Sequence, residues 1–338
     1  MEPAQQLRRM VIGFQVSQAL HVAAALGISD LLDTDPHTVA DLAAATSTHE
    51  PTLARLMRAL EGVGVYDQDV DGRFSNTELG DLLRSGVPGS MAGWAAFIGR
   101  PPYWQAWSGL LDSVRTGENA FAAVHGTPVW EYRRQRPAEQ EAFDRAMTSN
   151  SSGVAKAVVE AYDFGRFSTV VDVGGGVGAL LAAVLAHDPA VHGVLYDQPE
   201  VVAAAGPIFE QAGVGDRYEK VAGTFFDSVP AGADAYVLKA VIHDWPDAES
   251  IAILRRCREA MLDDAVVLLV EQLLGEGTDP VHTAFSDLNM LVGPGGKERT
   301  LDEYRDLLES AGLTLTGATD TGTQVFVIEA RPQQSSSR

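Results

Sequence analysis

Apolar positions change their spacing near residue 165. Before it they recur at helical intervals: Met10, Phe14 and Leu20 through Leu26, then Leu53, Leu56, Met57 and Leu60, then Trp104, Trp107, Leu110 and Leu111. After it, short β-branched runs alternate with amphipathic stretches. Strands are expected at Thr169–Val173, Gly193–Asp197, Tyr218–Ala222, Ala235–Ala240, Val266–Gln272, Thr314–Ala318 and Gln324–Ala330. Helices are expected between them at Val177–His187, Glu200–Ala212, Ala248–Leu262 and Leu301–Ala311. This alternation predicts an α/β fold, a doubly wound and mainly parallel sheet of seven strands. The connection within Gly317–Thr323 is too short for a crossover helix, so the last strand is expected to run antiparallel.

The N-terminal half carries a second pattern. Thr38–Thr46 reads as a helix, Ser47–Glu50 as a turn, Pro51–Gly62 as a second helix, and Val65–Ser75 as a hairpin around Asp71-Gly72. Helix, turn, helix and hairpin is a winged-helix layout, a shape often used to read DNA. Charge argues against that use. Between Thr38 and Gly80 stand seven acids and three arginines, whereas a DNA-reading element needs positive charge to displace counterions. A structural or dimerising role is expected instead.

Composition extends the same conclusion to the whole chain. The 338 residues carry 46 acids against 25 lysines and arginines, a formal charge of −21, which disfavours nucleic acid and anionic membrane as partners. One cysteine, Cys257, excludes an internal disulfide and a cysteine-based metal site. No apolar signal core opens the chain and no apolar run is long enough to cross a bilayer, so a soluble, cytoplasmic protein is expected. The organisation expected is a winged-helix-like dimerisation domain over 1–90, connecting helices over 91–164, a ligand-binding α/β domain over 165–331 and a frayed tail over 332–338.

The strongest chemical signal is VVDVGGGVG at 170–178. A strand ends in three glycines and a helix follows, which lets a ligand lie against bare backbone at a helix N-terminus. Asp197 closes the next strand, 19 residues beyond Gly178, where an acid can accept both hydroxyls of a ribose. Gly174-x-Gly176-x-x-Ala179 also satisfies the dinucleotide fingerprint, which brings NAD into consideration. Asp172 argues against it: a carboxylate two residues before the first glycine suits a cationic amino group rather than a pyrophosphate. S-adenosylmethionine fits both acids, its amino acid end near Asp172 and its ribose near Asp197.

A second constellation, LKAVIHDWPD, spans 238–247. Its strand ends near Ala240, so Lys239 through Asp244 fall at the carboxyl edge of the sheet, where doubly wound folds bind ligands. Glu271 ends the next strand on the same edge. No group of metal ligands is expected to come together.

Taken with YDQPEVV (196–202), AGTFFDSVP (222–230), VEQ (270–272) and GPGGKERT (293–300), these stretches resemble the S-adenosylmethionine-dependent small-molecule O-methyltransferases. That family includes plant caffeate and isoflavone enzymes, animal hydroxyindole O-methyltransferase and bacterial antibiotic-tailoring enzymes. The resemblance covers most of Asp172–Thr300 in order and spacing, and the winged-helix segment agrees with it. It implies a homodimer whose N-terminal helices interlock and help roof the partner's site. It implies that Gly174, Asp197, Phe225 and Lys239 line the cofactor site, beside Asp172 and Gly176 of the glycine loop. His243 falls on the general base, and Glu271 and Glu298 on the two acids that orient it. Asp244, Asn289 and Met290 match positions facing the acceptor, as do Phe143 and Met147. No metal is implied, and the second product would be S-adenosylhomocysteine.

The sequence departs from the family at Thr224, where an Asp usually holds the adenine amino group; a hydroxyl can still accept that bond, without charge. Ala240 replaces the aromatic residue common after the lysine. The resulting expectation is methylation of a hydroxyl, most directly a phenol, on an aromatic small molecule of bacterial secondary metabolism. N-methylation of an amine, and relatives that keep the cofactor but hydroxylate or decarboxylate, remain alternatives. The aromatic residues Trp94, Phe97, Tyr103, Trp104, Trp107, Phe121 and Trp130 read equally as a wall for a flat acceptor or as helical core.

Overall fold

The computed structural model describes residues 2–333 and divides the chain into two compact units, residues 2–105 with 133–150 and residues 106–132 with 151–333.

The first unit is helical and holds a three-stranded sheet of β1 (His37–Thr38), β2 (Tyr66–Gln68) and β3 (Arg73–Asn76) in the order β1-β3-β2. Thr38 begins the helix Val39–Thr46 with a capping box, its hydroxyl accepting from the Asp41 N–H while the Asp41 carboxylate accepts from the Thr38 N–H. Ser47 ends that helix in the left-handed region at φ 53°. Glu50–Glu61 follows, and β2 and β3 form the expected hairpin. Leu42, Leu53, Met57, Leu60, Tyr66 and Phe74 fill its core. The opening helix Pro3–Val11 has no buried residue, and Leu7, Met10 and Val11 are each more than 60% exposed, at 62%, 66% and 65%. Of the aromatic residues left open by the sequence, Phe97 and Tyr103 are buried in this unit with ring centroids 4.5 Å apart, so these two are core.

The second unit is the doubly wound sheet, in the order β6-β5-β4-β7-β8-β10-β9. Its strands are β4 (Thr169–Val173), β5 (His192–Asp197), β6 (Tyr218–Ala222), β7 (Ala235–Lys239), β8 (Val266–Gln272), β9 (Leu313–Asp320) and β10 (Val325–Pro332). All seven expected strands are present. β6, β5, β4, β7 and β8 pair in parallel, while β10 runs antiparallel to both β8 and β9. β4, β7 and β8 are buried on both faces, which is why they read as unbroken apolar runs. One large apolar cluster lies on each face of the sheet, the first around Leu180, Leu185 and Phe209 and the second around Ile253, Leu254 and Tyr304.

The structure corrects one helix. Glu200–Ala212 was expected as a single helix, but the chain forms Pro199–Ala203 and Gly206–Gln211. Pro207 lacks the N–H that would bond back one turn, and its ring excludes the carbonyl there, so the helix breaks and restarts. Pro332 pairs with Leu313 and the Gln333 N–H donates to Gly312 O, so ordered pairing reaches into the expected frayed tail. Residues 334–338, the rest of that tail, lie outside the described residues. Among the described residues no helix is long and apolar enough to cross a membrane.

Candidate functional site

Because β4 is flanked by β5 on one side and β7 on the other, the chain departs in opposite directions at its carboxyl end, which opens a crevice there. The ends of β4, β5, β7 and β8 bring Gly174, Asp197, Lys239 and Glu271 to that one edge.

The glycine loop meets the crevice with bare backbone. Gly174 and Gly176 lie at φ 68° and 60°, and a Cβ on Gly176 would meet nothing within 4 Å, so that position faces open space. At Gly174 a Cβ would fall 3.0 Å from Val241 and 3.3 Å from Phe225, which brings Phe225 to the loop. The Asp197 carboxylate accepts the Gly176 N–H at 2.8 Å and the Gln198 N–H at 2.7 Å, so it braces the loop and keeps a further lone pair on each oxygen. Thr224 is exposed and opens the turn that carries Phe225.

Asp172 is 2% exposed, and neither of its oxygens has a hydrogen-bond partner among the described residues. Burial pushes its carboxyl up to about 7, against the pull of Lys239. Burial likewise pushes the Lys239 ammonium down, while Asp172, Glu271 and Asp244 pull it back. A buried carboxylate with two orphaned oxygens, an open glycine backbone and a strand-end acid with spare lone pairs fit a cationic amino group and a ribose, as S-adenosylmethionine offers.

The second constellation folds around His243. Ala240 leaves β7 in the left-handed region at φ 53°, which costs about 1 kcal/mol for a residue with a Cβ and turns the chain out of the sheet. His243 then sits on a single tight helical turn, Ile242–Asp244. Its Nδ1 lies 3.0 Å from Glu298 Oε1 and 3.7 Å from Glu271 Oε2, and its Nε2 lies 3.7 Å from Asp244 Oδ1. The side chains of Glu271 and Glu298 are fully buried and that of His243 is 13% exposed. Glu271 Oε1 accepts the N–H groups of Val241 and Ile242, pinning the start of the turn, while its Oε2 has no hydrogen-bond partner among the described residues. Glu298 Oε1 accepts from His243, from the Ser286 hydroxyl at 2.6 Å and from the Gln272 amide at 3.4 Å.

Burial works against charge on His243, but Glu298, Glu271 and Asp244 together outweigh it and push the imidazole up to about 10. Burial also opposes the charge on Glu298, yet the imidazolium and the Ser286 hydroxyl bring its carboxyl below the usual range. Glu271 is pushed up to about 7 by burial, with His243 pulling the other way. An ionised Glu298 only accepts hydrogen bonds, so Nδ1 carries the proton toward it and Nε2 holds the lone pair when the ring is neutral.

The expectation that no metal ligands come together is corrected here. His243, Glu271 and Glu298 offer ligand atoms within 4.8 Å of one another. The residues are far apart in sequence, and only the sheet edge and the 293–299 loop bring them together.

Asn289 and Met290 lie on the helix Pro280–Val292; Met290 is buried, and Asn289 keeps a buried Oδ1 with no hydrogen-bond partner among the described residues. Phe143 belongs to the first unit, where the Arg133 guanidinium lies 3.7 Å from its ring centroid; Met147 is in the same unit.

Three polar contributors escaped the sequence reading. Ser286 and Gln272 hold Glu298, and neither stands in a spacing that signals this. Asn119 caps the helix Ala120–His125 through its Oδ1 and reaches Leu291 O at 2.7 Å through its amide, tying down the end of the helix that bears Asn289 and Met290. An Asn before an apolar helix announces the cap; its second use depends on the tertiary fold. Trp245 packs against Phe225, Phe226 and Trp130, with ring centroids 6.0, 4.8 and 5.7 Å away.

Residues 107–314 match the O-methyltransferase domain and residues 9–86 the O-methyltransferase dimerisation domain. A phenazine O-methyltransferase of Lysobacter antibioticus is 43% identical over 96% of this chain and 95% of its own. The mitomycin biosynthesis 6-O-methyltransferase of Streptomyces lavendulae is 40% identical over 93% of this chain and 90% of its own. The crystal structure of human N-acetylserotonin methyltransferase in complex with S-adenosylmethionine superposes with a TM-score of 0.89 at 31% identity, covering 99% of each chain. The chain belongs to the O-methyltransferase family and carries that domain behind an O-methyltransferase dimerisation domain.

Proposed function

We propose that this enzyme transfers the methyl group of S-adenosylmethionine to a phenolic hydroxyl of an aromatic small molecule in secondary-metabolite biosynthesis, with His243 as general base. The observation that carries the reading is the imidazole held at Nδ1 by Glu298, 3.0 Å away, with Glu271 behind it and Nε2 left to receive a proton. S-adenosylmethionine supplies an electrophilic methyl group on a positively charged sulfur. Gly174, Gly176, Asp172, Asp197, Phe225 and Lys239 would hold it, with Thr224 as a neutral acceptor for the adenine amino group. Asp244, Asn289 and Met290 would face the acceptor.

A phenol is a poor nucleophile until it loses its proton. His243 Nε2 takes that proton as the new bond forms, and Glu298 and Glu271 stabilise the imidazolium that results. Burial of the cluster excludes water and strengthens each of these interactions. Metal is not required by this chemistry. A homodimer is supported by the dimerisation-domain match and by the exposed Leu7, Met10, Val11 and Phe14, and sedimentation velocity checks it.

The test is calorimetric titration with S-adenosylmethionine and NAD in parallel, followed by mass analysis of a panel of phenols. Binding of the first alone and a product gaining one methylene are expected. His243→Ala should lower turnover by roughly 10²–10⁴-fold with little change in cofactor affinity; equal loss of both would refute the base assignment.

A further inference from the structure

The loop at 293–299 does more than deliver Glu298. Gly296 presses on the backbone that carries the imidazole: a Cβ there would fall 2.0 Å from His243 O and 2.5 Å from both Asp244 C and Trp245 N. Any side chain at 296 would therefore push the His243 turn out of place. Three residues on, Arg299 is fully buried, at 0% exposure.

Its guanidinium spends its donors on the same turn. Nη1 donates to Ile242 O at 3.1 Å and to Lys297 O at 3.3 Å. Nη2 donates to Trp245 O at 2.9 Å and to Asp247 Oδ1 at 2.8 Å, and lies 3.4 Å from Ser250 Oγ; Nε donates to Asp247 Oδ1 at 3.1 Å. These bonds bracket His243, taking the carbonyl of the residue before it, the carbonyl two residues after it and the first residue of the helix Asp247–Ala260. Ser250 Oγ lies within 3.3 Å of the same two carbonyls and supports the same grip.

We propose that Arg299 is a positioning residue for His243, setting the imidazole against Glu298 by holding the carbonyls on either side of it. The inference rests on the reading of His243 as the base. A rigid planar fork is what the arrangement demands, because Ile242 O, Trp245 O and Asp247 lie on different sides of the guanidinium. A lysine ammonium offers the same charge as a single point and cannot reach all three. Arg299 and Glu298 are consecutive, so one short segment fixes both the imidazole and the carboxylate that it faces. A buried arginine that only stabilised the fold would leave the imidazole's environment unchanged when replaced by lysine at constant stability.

The experiment uses the full-length protein labelled at histidine. His243 is assigned with His243→Gln, and its titration is followed by NMR in wild type, Arg299→Lys and Ser250→Ala, with the S-adenosylhomocysteine affinity of each measured by calorimetry. The charged groups facing the ring are Glu298, Glu271 and Asp244, and all three are retained in every variant. Arg299→Lys is expected to lower the titration midpoint of His243 by more than about one pH unit, since the ring leaves Glu298, with cofactor-product affinity changed less than about threefold. Ser250→Ala should shift it in the same direction by less, and decides the matter if Arg299→Lys does not fold. An unchanged His243 midpoint in the folded variants would overturn the proposal, as would a shift accompanied by an equal loss of S-adenosylhomocysteine binding. Neither readout involves methyl transfer, so failure here is separate from failure of the general-base reading, which His243→Ala tests.

Discussion

The pH dependence of methyl transfer should move when Glu298 is neutralised. In the wild-type protein three carboxylates push His243 up to about 10, some 3.5 units above its ordinary 6.5, a difference on the order of 5 kcal/mol. Two consequences oppose each other. A neutral His243 is matched to a phenol of pKa ~10, so proton transfer between them is close to thermoneutral, whereas an ordinary histidine would leave that cost of about 5 kcal/mol uncompensated. At pH 7, however, only about one molecule in a thousand carries the neutral ring. The ratio kcat/KM for the acceptor, at saturating S-adenosylmethionine, should therefore rise roughly tenfold per pH unit above neutrality and level off near pH 10. Glu298→Gln removes the carboxylate 3.0 Å from Nδ1 while keeping the shape of the side chain. The ascending limb is expected to move down by about 1–3 units, and the plateau to fall because the remaining base is weaker. The assay is initial-rate methylation between pH 6 and pH 10.5 for both proteins. A wild-type limb centred near 6.5, or one that stays in place in Glu298→Gln, would refute the reasoning. The sign of the linked stability follows from the same shift: a raised imidazole pKa stabilises the fold below pH 6.5, and that contribution is lost as the pH rises through about 10.

Other outcomes follow from the same geometry. Asp197→Ala removes the acceptor of the Gly176 and Gln198 N–H groups as well as the ribose partner proposed above, and should weaken S-adenosylmethionine binding by roughly 10–100-fold by calorimetry, leaving the fold intact by circular dichroism. Gly178→Ala places a Cβ 2.3 Å from the Phe209 ring at a backbone φ of 87°, and should cost roughly 2–4 kcal/mol in denaturant unfolding. Dialysis against EDTA should leave turnover unchanged; a loss restored by one divalent metal would make the His243, Glu271 and Glu298 cluster a metal centre instead.

Much of this protein was legible in its residues because the signals are local. A parallel strand buried on both faces must be apolar throughout, so β4, β7 and β8 could be read directly, and the short connection before β10 left it only an antiparallel course. The glycines after β4 and the acid that ends β5 could be placed together because strand ends on one sheet share one edge. The break at Pro207 was equally local and was there to be read from the missing N–H.

What the sequence could not hold is distance between residues far apart along it. His243, Glu271 and Glu298 are each unremarkable alone, and their pKa values arise only when the sheet edge and the 293–299 loop bring three charges into one dry volume. Ser286, Gln272 and Asn119 likewise acquire their roles from neighbours more than ten residues away. Arg299 shows the difference most plainly. In sequence it is one more cation; in the structure, with its bonds dictated by where three carbonyls, a carboxylate and a serine hydroxyl come to rest, it holds the turn that carries His243. Propensity and pattern depend on near neighbours and so survive in one dimension, whereas Coulomb energies and hydrogen bonds depend on separations that only the folded chain sets.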